Sequence, residues 1–238
     1  MIVDLQSKVG DLVKTWPEAM RYFEGVGIDY CCGGHRSLAE ACSAAGVAPA
    51  VVLLGLGGLR SPSVNDPSAS DWEKASLTDL TEHLKASHHA YLRSELPRLD
   101  KLVTKVVEVH GERHPELAQV YDVFQALEAD LLPHLMKEEQ VLFPFIQGME
   151  QGQAGGACFG TVESPIRVME SEHEAVGAML AELRTLTNSY QAPADGCATF
   201  QALYLGLAEL EADTHLHIYL ENQILHPRAI AMEAGVRA

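Results

Sequence analysis

The chain has 238 residues, 47 % apolar and 21 % charged, a globular balance that excludes a disordered or fibrous protein. Seventeen basic against 33 acidic side chains leave a net charge of −16, the wrong sign for a surface that tracks nucleic-acid phosphates. No apolar run reaches the roughly 20 residues that a bilayer span needs, and the opening MIVDLQSKVGDLV lacks the basic start of a signal peptide, so no membrane partner is expected.

Residues 1–55 read as a small helical domain. Thr15 and Pro17 mark the start of a short helix that ends at Gly25 and Gly27, and Ser37-Leu38-Ala39-Glu40 is a capping-box pattern that opens another. Between them Asp29-Tyr30-Cys31-Cys32-Gly33-Gly34 reads as a turn. A unit below roughly 70 residues is poorly stabilised alone, so this one is expected to dock on something, a homodimeric second copy included. Residues 56–75, dense in Gly, Pro, Ser and Asn and without periodicity, read as a linker.

Residues 76–232 read as four long helices, at about 76–110, 115–147, 165–190 and 195–226. Ser76 or Thr78, Pro115, Ser164-Pro165 and Pro193 with Asp195 supply the starts, and Pro227 the final stop. Leu117, Val120, Phe124, Leu127 and Leu131 show the three- and four-residue spacing of a buried stripe. The expected fold is all-α, an antiparallel four-helix bundle behind a small helical domain.

The chemistry lies in an internal repeat. His134, Glu138, Gln140, Leu142 and Pro144 recur at identical offsets as His217, Glu221, Gln223, Leu225 and Pro227. A shared core explains the leucines but not the polar members. His and Glu four apart are about 40° apart around a helix, one turn above the other, so both face one object. Two such helices converge two carboxylates inside a bundle, where burial costs several kcal/mol unless a cation compensates. Upstream, His89 precedes His134 by 45 residues and His173 precedes His217 by 44, so each hairpin adds one further imidazole. Four imidazoles and two carboxylates suit two non-haem irons with positions left open; a structural zinc site wants four tetrahedral ligands, often thiolates.

Within the first helix, Leu77, Leu80, Leu84, Leu92 and Leu99 define a stripe on which His88 is central. Pro97 is expected to kink the helix and shift that phase. The spacing to His134 favours His89. His83, His110, His114, His215 and His226 read as surface or helix-end residues.

Five cysteines, an odd number with two adjacent, argue against a secreted disulfide scaffold and for a cytoplasmic location. Neighbouring Cα atoms about 3.8 Å apart are poorly placed for a mutual disulfide. Just before a helix N-terminus, Cys31 and Cys32 are expected as thiols of lowered pKa, open to metal or nitrosyl ligation, thiol exchange or an intermolecular disulfide. Cys42, Cys158 and Cys197 read as small apolar packing residues, with Cys158 in a Gly-rich loop.

DYCCGG with SLAEAC, HHAYLRSELPRL, VHGERHPEL, HLMKEEQVLFP, PIRVMESEH and HIYLENQILHP run nearly end to end. In them the chain resembles the iron–sulfur cluster repair di-iron proteins, which join an ScdA-type N-terminal domain to a hemerythrin-like one. The resemblance favours His89 over His88. It implies that His89 and His134 bind one iron and His173 and His217 the other, with Glu138 and Glu221 bridging beside an oxo or hydroxo group. Cys31 and Cys32 match the family's paired cysteines. Fewer histidines than in hemerythrins imply a labile centre that supplies iron to apo or damaged iron–sulfur proteins under nitrosative or oxidative stress, with NO or O2 as small ligands. The alternatives are a di-iron nitric oxide or peroxide reductase, with Cys31 and Cys32 relaying electrons, and a reversible O2 or NO binder.

Overall fold

The computed structural model describes residues 3–59, 72–153 and 160–237. Most of the linker and Cys158 lie outside the described residues. Among the described residues the regular elements are helical, and the one β-type pairing is an isolated bridge between Lys8 and Ser37. The all-α expectation holds. No single described helix is long and apolar enough to cross a membrane.

The chain divides into two compact units, Met1–Ser76 with Ile218–Pro227, and Leu77–His217 with Arg228–Ala238. The first contains α1 (Val9–Thr15), α2 (Ala19–Val26), α3 (Leu38–Ala45) and α4 (Pro49–Gly58). Gly27 ends α2 in the left-handed region at φ 72°, where a Cβ would be strained. Ser37 and Glu40 close the capping box on α3 reciprocally. Helix α4 starts on Pro49 and carries on to Gly58, because its apolar run Val51-Val52-Leu53-Leu54 outweighs the scattered glycines. Val9, Leu12, Phe23, Tyr30, Leu38, Val52 and Leu56 form the core.

The small unit packs against a segment of its own chain. Tyr30 meets Tyr219 edge-on at 5.8 Å, and the Gln223 amide donates to the Cys31 carbonyl at 3.0 Å. Two glycines make room for that amide. A Cβ on Gly34 would lie 2.7 Å from Gln223 Nε2 and 2.6 Å from the Tyr30 carbonyl, and one on Gly10 would lie 2.6 Å from Gln223 Oε1. Gly34→Ala is therefore expected to cost about 1–3 kcal/mol, read as a lower urea midpoint. An unchanged midpoint would show that this turn is loosely packed.

The second unit contains three rods and most of a fourth. Rod one is α5 (Leu77–Leu84), a π-helical turn π1 (Lys85–His89) and α6 (Ala90–His110). Rod two is α7 (Glu116–Lys137), π2 (Glu138–Leu142) and α8 (Phe143–Glu150). Rod three is α9 (Glu163–Leu186), and rod four is α10 (Ala198–Leu220), π3 (Glu221–Leu225) and α11 (His226–Arg237). Side-chain pairs fix the directions. Glu150 accepts from the Leu77 and Thr78 amides at 2.8 and 2.9 Å, while Gln125 reaches back to Asp100, so rods one and two run in opposite senses. Arg184 on rod three meets Glu211 on rod four, and Glu233 near the end of rod four accepts from Val162 at the start of rod three. Leu80, Leu96, Phe124, Leu127, Leu180, Phe200 and Leu210 fill the space between.

The expected stop at Pro227 fails: rod four runs on through it to Arg237, and Pro144 sits inside rod two in the same way, within the span expected for that helix. Each is the second residue beyond a π turn. The carbonyl four residues earlier, which a proline ring would strike in an α-helix, belongs to Gln223 or Gln140 inside the widened turn. Rod three ends at Leu186, short of 190, because Asn188, Ser189 and Tyr190 all take positive φ.

Candidate metal centre

Three of the four rods carry a π turn, and each turn touches a residue singled out in the sequence: His89 ends π1, Glu138 begins π2 and Glu221 begins π3. A π turn inserts one extra residue and rotates the helix beyond it, which is why such turns accumulate at functional sites. In rod one it separates His88 from His89. The buried stripe above the turn is Leu77, Leu80 and Leu84, and below it His89, Leu92, Leu96 and Leu99. The slip comes from π1; α6 runs without a break through Pro97. Both histidines end up buried, in different places. His88 Nδ1 lies 2.9 Å from Asp213 and its ring stacks on that of His217, whereas His89 faces the centre.

Two groups of four buried residues hold ligand atoms within 4.8 Å of one another: His89, Glu138, His217 and Glu221, and His134, Glu138, His173 and Glu221. All six residues expected from the sequence are thus brought together. Their pairing differs from the implied one. His89 Nε2 lies 3.2 Å from His217 Nε2, and His134 Nε2 lies 3.1 Å from His173 Nε2. The pairs are formed across rods one and four and across rods two and three, not within each hairpin, because the ligands sit at one level of the bundle and side-by-side rods meet there.

Tautomers are set by the outer contacts. His89 Nδ1 lies 2.8 Å from Glu139 Oε1, itself gripped by Arg93 at 2.6 and 2.9 Å. The Arg93 guanidinium holds the Glu139 carboxyl below its usual range, against the opposing pull of burial. His134 Nδ1 lies 2.9 Å from Glu172, which Lys137 also binds. A carboxylate only accepts, so each Nδ1 donates, and each neutral ring turns its Nε2 lone pair inward. That lone pair faces a carboxylate oxygen: Glu138 Oε2 is 3.4 Å from His89 Nε2, and Glu138 Oε1 is 3.3 Å from His134 Nε2. Acceptors opposed at this range, around two carboxylates with no exposure, call for intervening positive charge. The donor set fits a transition dication, and the sharing of both acids fits two.

Other sequence readings need correction. His226 is fully buried; it stands where Phe143 stands in the other repeat and fills an aromatic core position beyond π3. His110 ends α6 as expected but is buried, its ring centroid 5.3 Å from that of Phe200. Cys42 packs inside, whereas Cys197 is exposed, immediately before α10. Cys31 is pushed up rather than down, by the hydrogen bond it shares with the Cys32 thiol and by burial. The two sulfurs are 3.8 Å apart, and Asp29 accepts from both cysteine amides, at 3.1 and 2.9 Å. Asp29, Cys31 and Cys32 form a further group able to hold an ion. Gln223, whose amide secures this turn, is a polar member of the repeat, and its partner in the turn is too distant along the chain for the repeat to indicate.

Residues 79–229 match the hemerythrin HHE cation binding domain, and residues 5–59 match an ScdA-type N-terminal domain of unknown function. The iron–sulfur cluster repair protein YtfE of Escherichia coli O157:H7 is 37 % identical over 94 % of this chain and 97 % of its own length. Those of Cronobacter sakazakii and Shigella boydii serotype 4 are each 36 % identical over 94 % of this chain and cover 96 % and 97 % of their own lengths.

Proposed function

Because the chain belongs to the iron–sulfur cluster repair family and carries a hemerythrin HHE domain, we propose that it holds two non-haem irons and yields them to iron–sulfur proteins whose clusters are damaged. One observation carries the reading: Glu138 and Glu221 are members of both ligand groups, so each acid serves two ions while His89 and His217 complete one and His134 and His173 the other. Six protein side chains for two octahedral ions leave positions open, which suits small ligands such as nitric oxide or dioxygen and makes the cargo easier to remove. Glu139 and Glu172 hold the rings of His89 and His134 in place, so that the donors stay aligned as iron enters and leaves.

Cys31 and Cys32 are assigned to iron transfer. Their sulfur separation of 3.8 Å matches that of two thiolates around a tetrahedral ion with metal–sulfur bonds of about 2.3 Å. The proton that keeps Cys31 neutral would leave as the ion binds. Free thiols at Cys31, Cys32, Cys42 and Cys197 accord with a reducing cytoplasm.

Anaerobically iron-loaded protein, mixed with a dehydratase whose cluster has been oxidised, is expected to restore that enzyme's activity. The Glu138→Leu, Glu221→Leu double variant, verified to lack iron, should restore none. Equal recovery with both proteins would overturn the proposal.

A further inference from the structure

A wired cluster of reactive side chains lies away from the metal ligands, where α6 ends and α10 begins. Cys197 Sγ is 3.2 Å from His110 Nε2, and His110 Nδ1 is 3.2 Å from Arg113 Nη2. Arg113 Nη1 donates to Asp195 at 3.1 Å, Asp195 lies 3.1 Å from His114 Nε2, and His114 Nδ1 lies 3.1 Å from Glu116. Among the described residues, these are the titratable groups that hydrogen bonds link to the thiol, drawn from α6, the turn after it, α7 and the approach to α10.

Chemistry fixes the proton positions. A guanidinium only donates, so His110 Nδ1 accepts and the neutral ring carries its hydrogen on Nε2. That N–H points at Cys197 sulfur, which must accept. The Phe200 and Thr199 amides, at the N-terminus of the 23-residue helix α10, point at the same sulfur. The amide of Phe200 first, then His110, hold this thiol down at about 7. The sulfur is exposed, while the His110 ring that orients it is buried against Phe200. Cys31 and Cys42 differ, both being buried and both pushed up.

We propose that Cys197 is a modification site for low-molecular-mass disulfides, with His110 and Arg113 as the residues that position and polarise it. The Cys197 thiolate attacks one sulfur of the disulfide; a new S–S bond forms as the old one breaks, and the second sulfur leaves with the electron pair and takes a proton from water. No further oxidant is needed.

The test uses full-length protein and glutathione disulfide at neutral pH, with peptide mass mapping. The first glutathionyl adduct is expected on Cys197 and disappears in Cys197→Ser. The rate should rise with pH around a midpoint near 7. His110→Gln, and separately Arg113→Met, which leaves the buried ring in place, should move that midpoint toward the ordinary value of about 8.5. The Phe200 and Thr199 amides remain in both variants, so the midpoint should rise only part of that way and the rate at pH 7 should fall by about a few-fold. A first adduct on any other cysteine, a wild-type midpoint near 8.5, or a midpoint unmoved in Arg113→Met would overturn the assignment.

Discussion

Replacing Glu138 and Glu221 together by leucine is expected to abolish iron binding and, in metal-free protein, to raise the melting temperature. Both carboxylates are buried without exposure, Glu138 lies 3.4 and 3.3 Å from the inward nitrogens of His89 and His134, and Glu221 belongs to the same two groups of ligand atoms. Ions bound there, as proposed, would hold this arrangement together, and ligand present at about a thousand times its dissociation constant adds roughly 4 kcal/mol to stability. Chelation removes that contribution and leaves the acids without metal charge. Apolar side chains of similar volume then do better, by about 1–4 kcal/mol, as buried charged groups replaced by packed residues generally do. Scanning calorimetry of chelated wild type and double variant, with metal analysis before chelation, checks both halves. If the metal-free variant melts below metal-free wild type, the acids are supported by something other than metal.

The second large effect separates two neighbouring histidines. His89→Leu is expected to remove one ion of the pair, because His89 belongs to a single ligand group with His217. His88→Leu should keep both ions and cost stability instead, about 1–3 kcal/mol, since it strands the Asp213 carboxylate 2.9 Å from the lost Nδ1. Iron per chain and the urea midpoint of each variant decide the matter. A halved iron content in His88→Leu with full content in His89→Leu would reverse the assignment and the reading of π1 with it.

The residues of the candidate centre were legible because polar residues repeated at matched offsets have no reason to be in a core unless something there requires them. His134, Glu138, His217 and Glu221 could be read that way, and His89 and His173 through their spacing. The π turns were not legible. A helix with a π turn has the same local composition as one without, and only the change of stripe from Leu84 to His89 rather than His88 records it. Pro227 misled for the same reason: it is a stop signal in an α-helix but is admitted as the second residue beyond a widened turn. Cys197 was misread because its neighbours in the sequence, Gly196 and Ala198, say nothing of His110, 87 residues away.

By itself, then, the amino-acid order determined the helical class, the repeat and the identities of the six centre residues, since local periodicity and the cost of burying acids are written along one dimension. Which imidazole lies against which, the role of Gln223 beneath the Cys31–Cys32 turn and the contact of Cys197 with His110 were decided only when rods met. Those properties depend on distances of about 3 Å between residues far apart in the chain, and no spacing along a single helix encodes them.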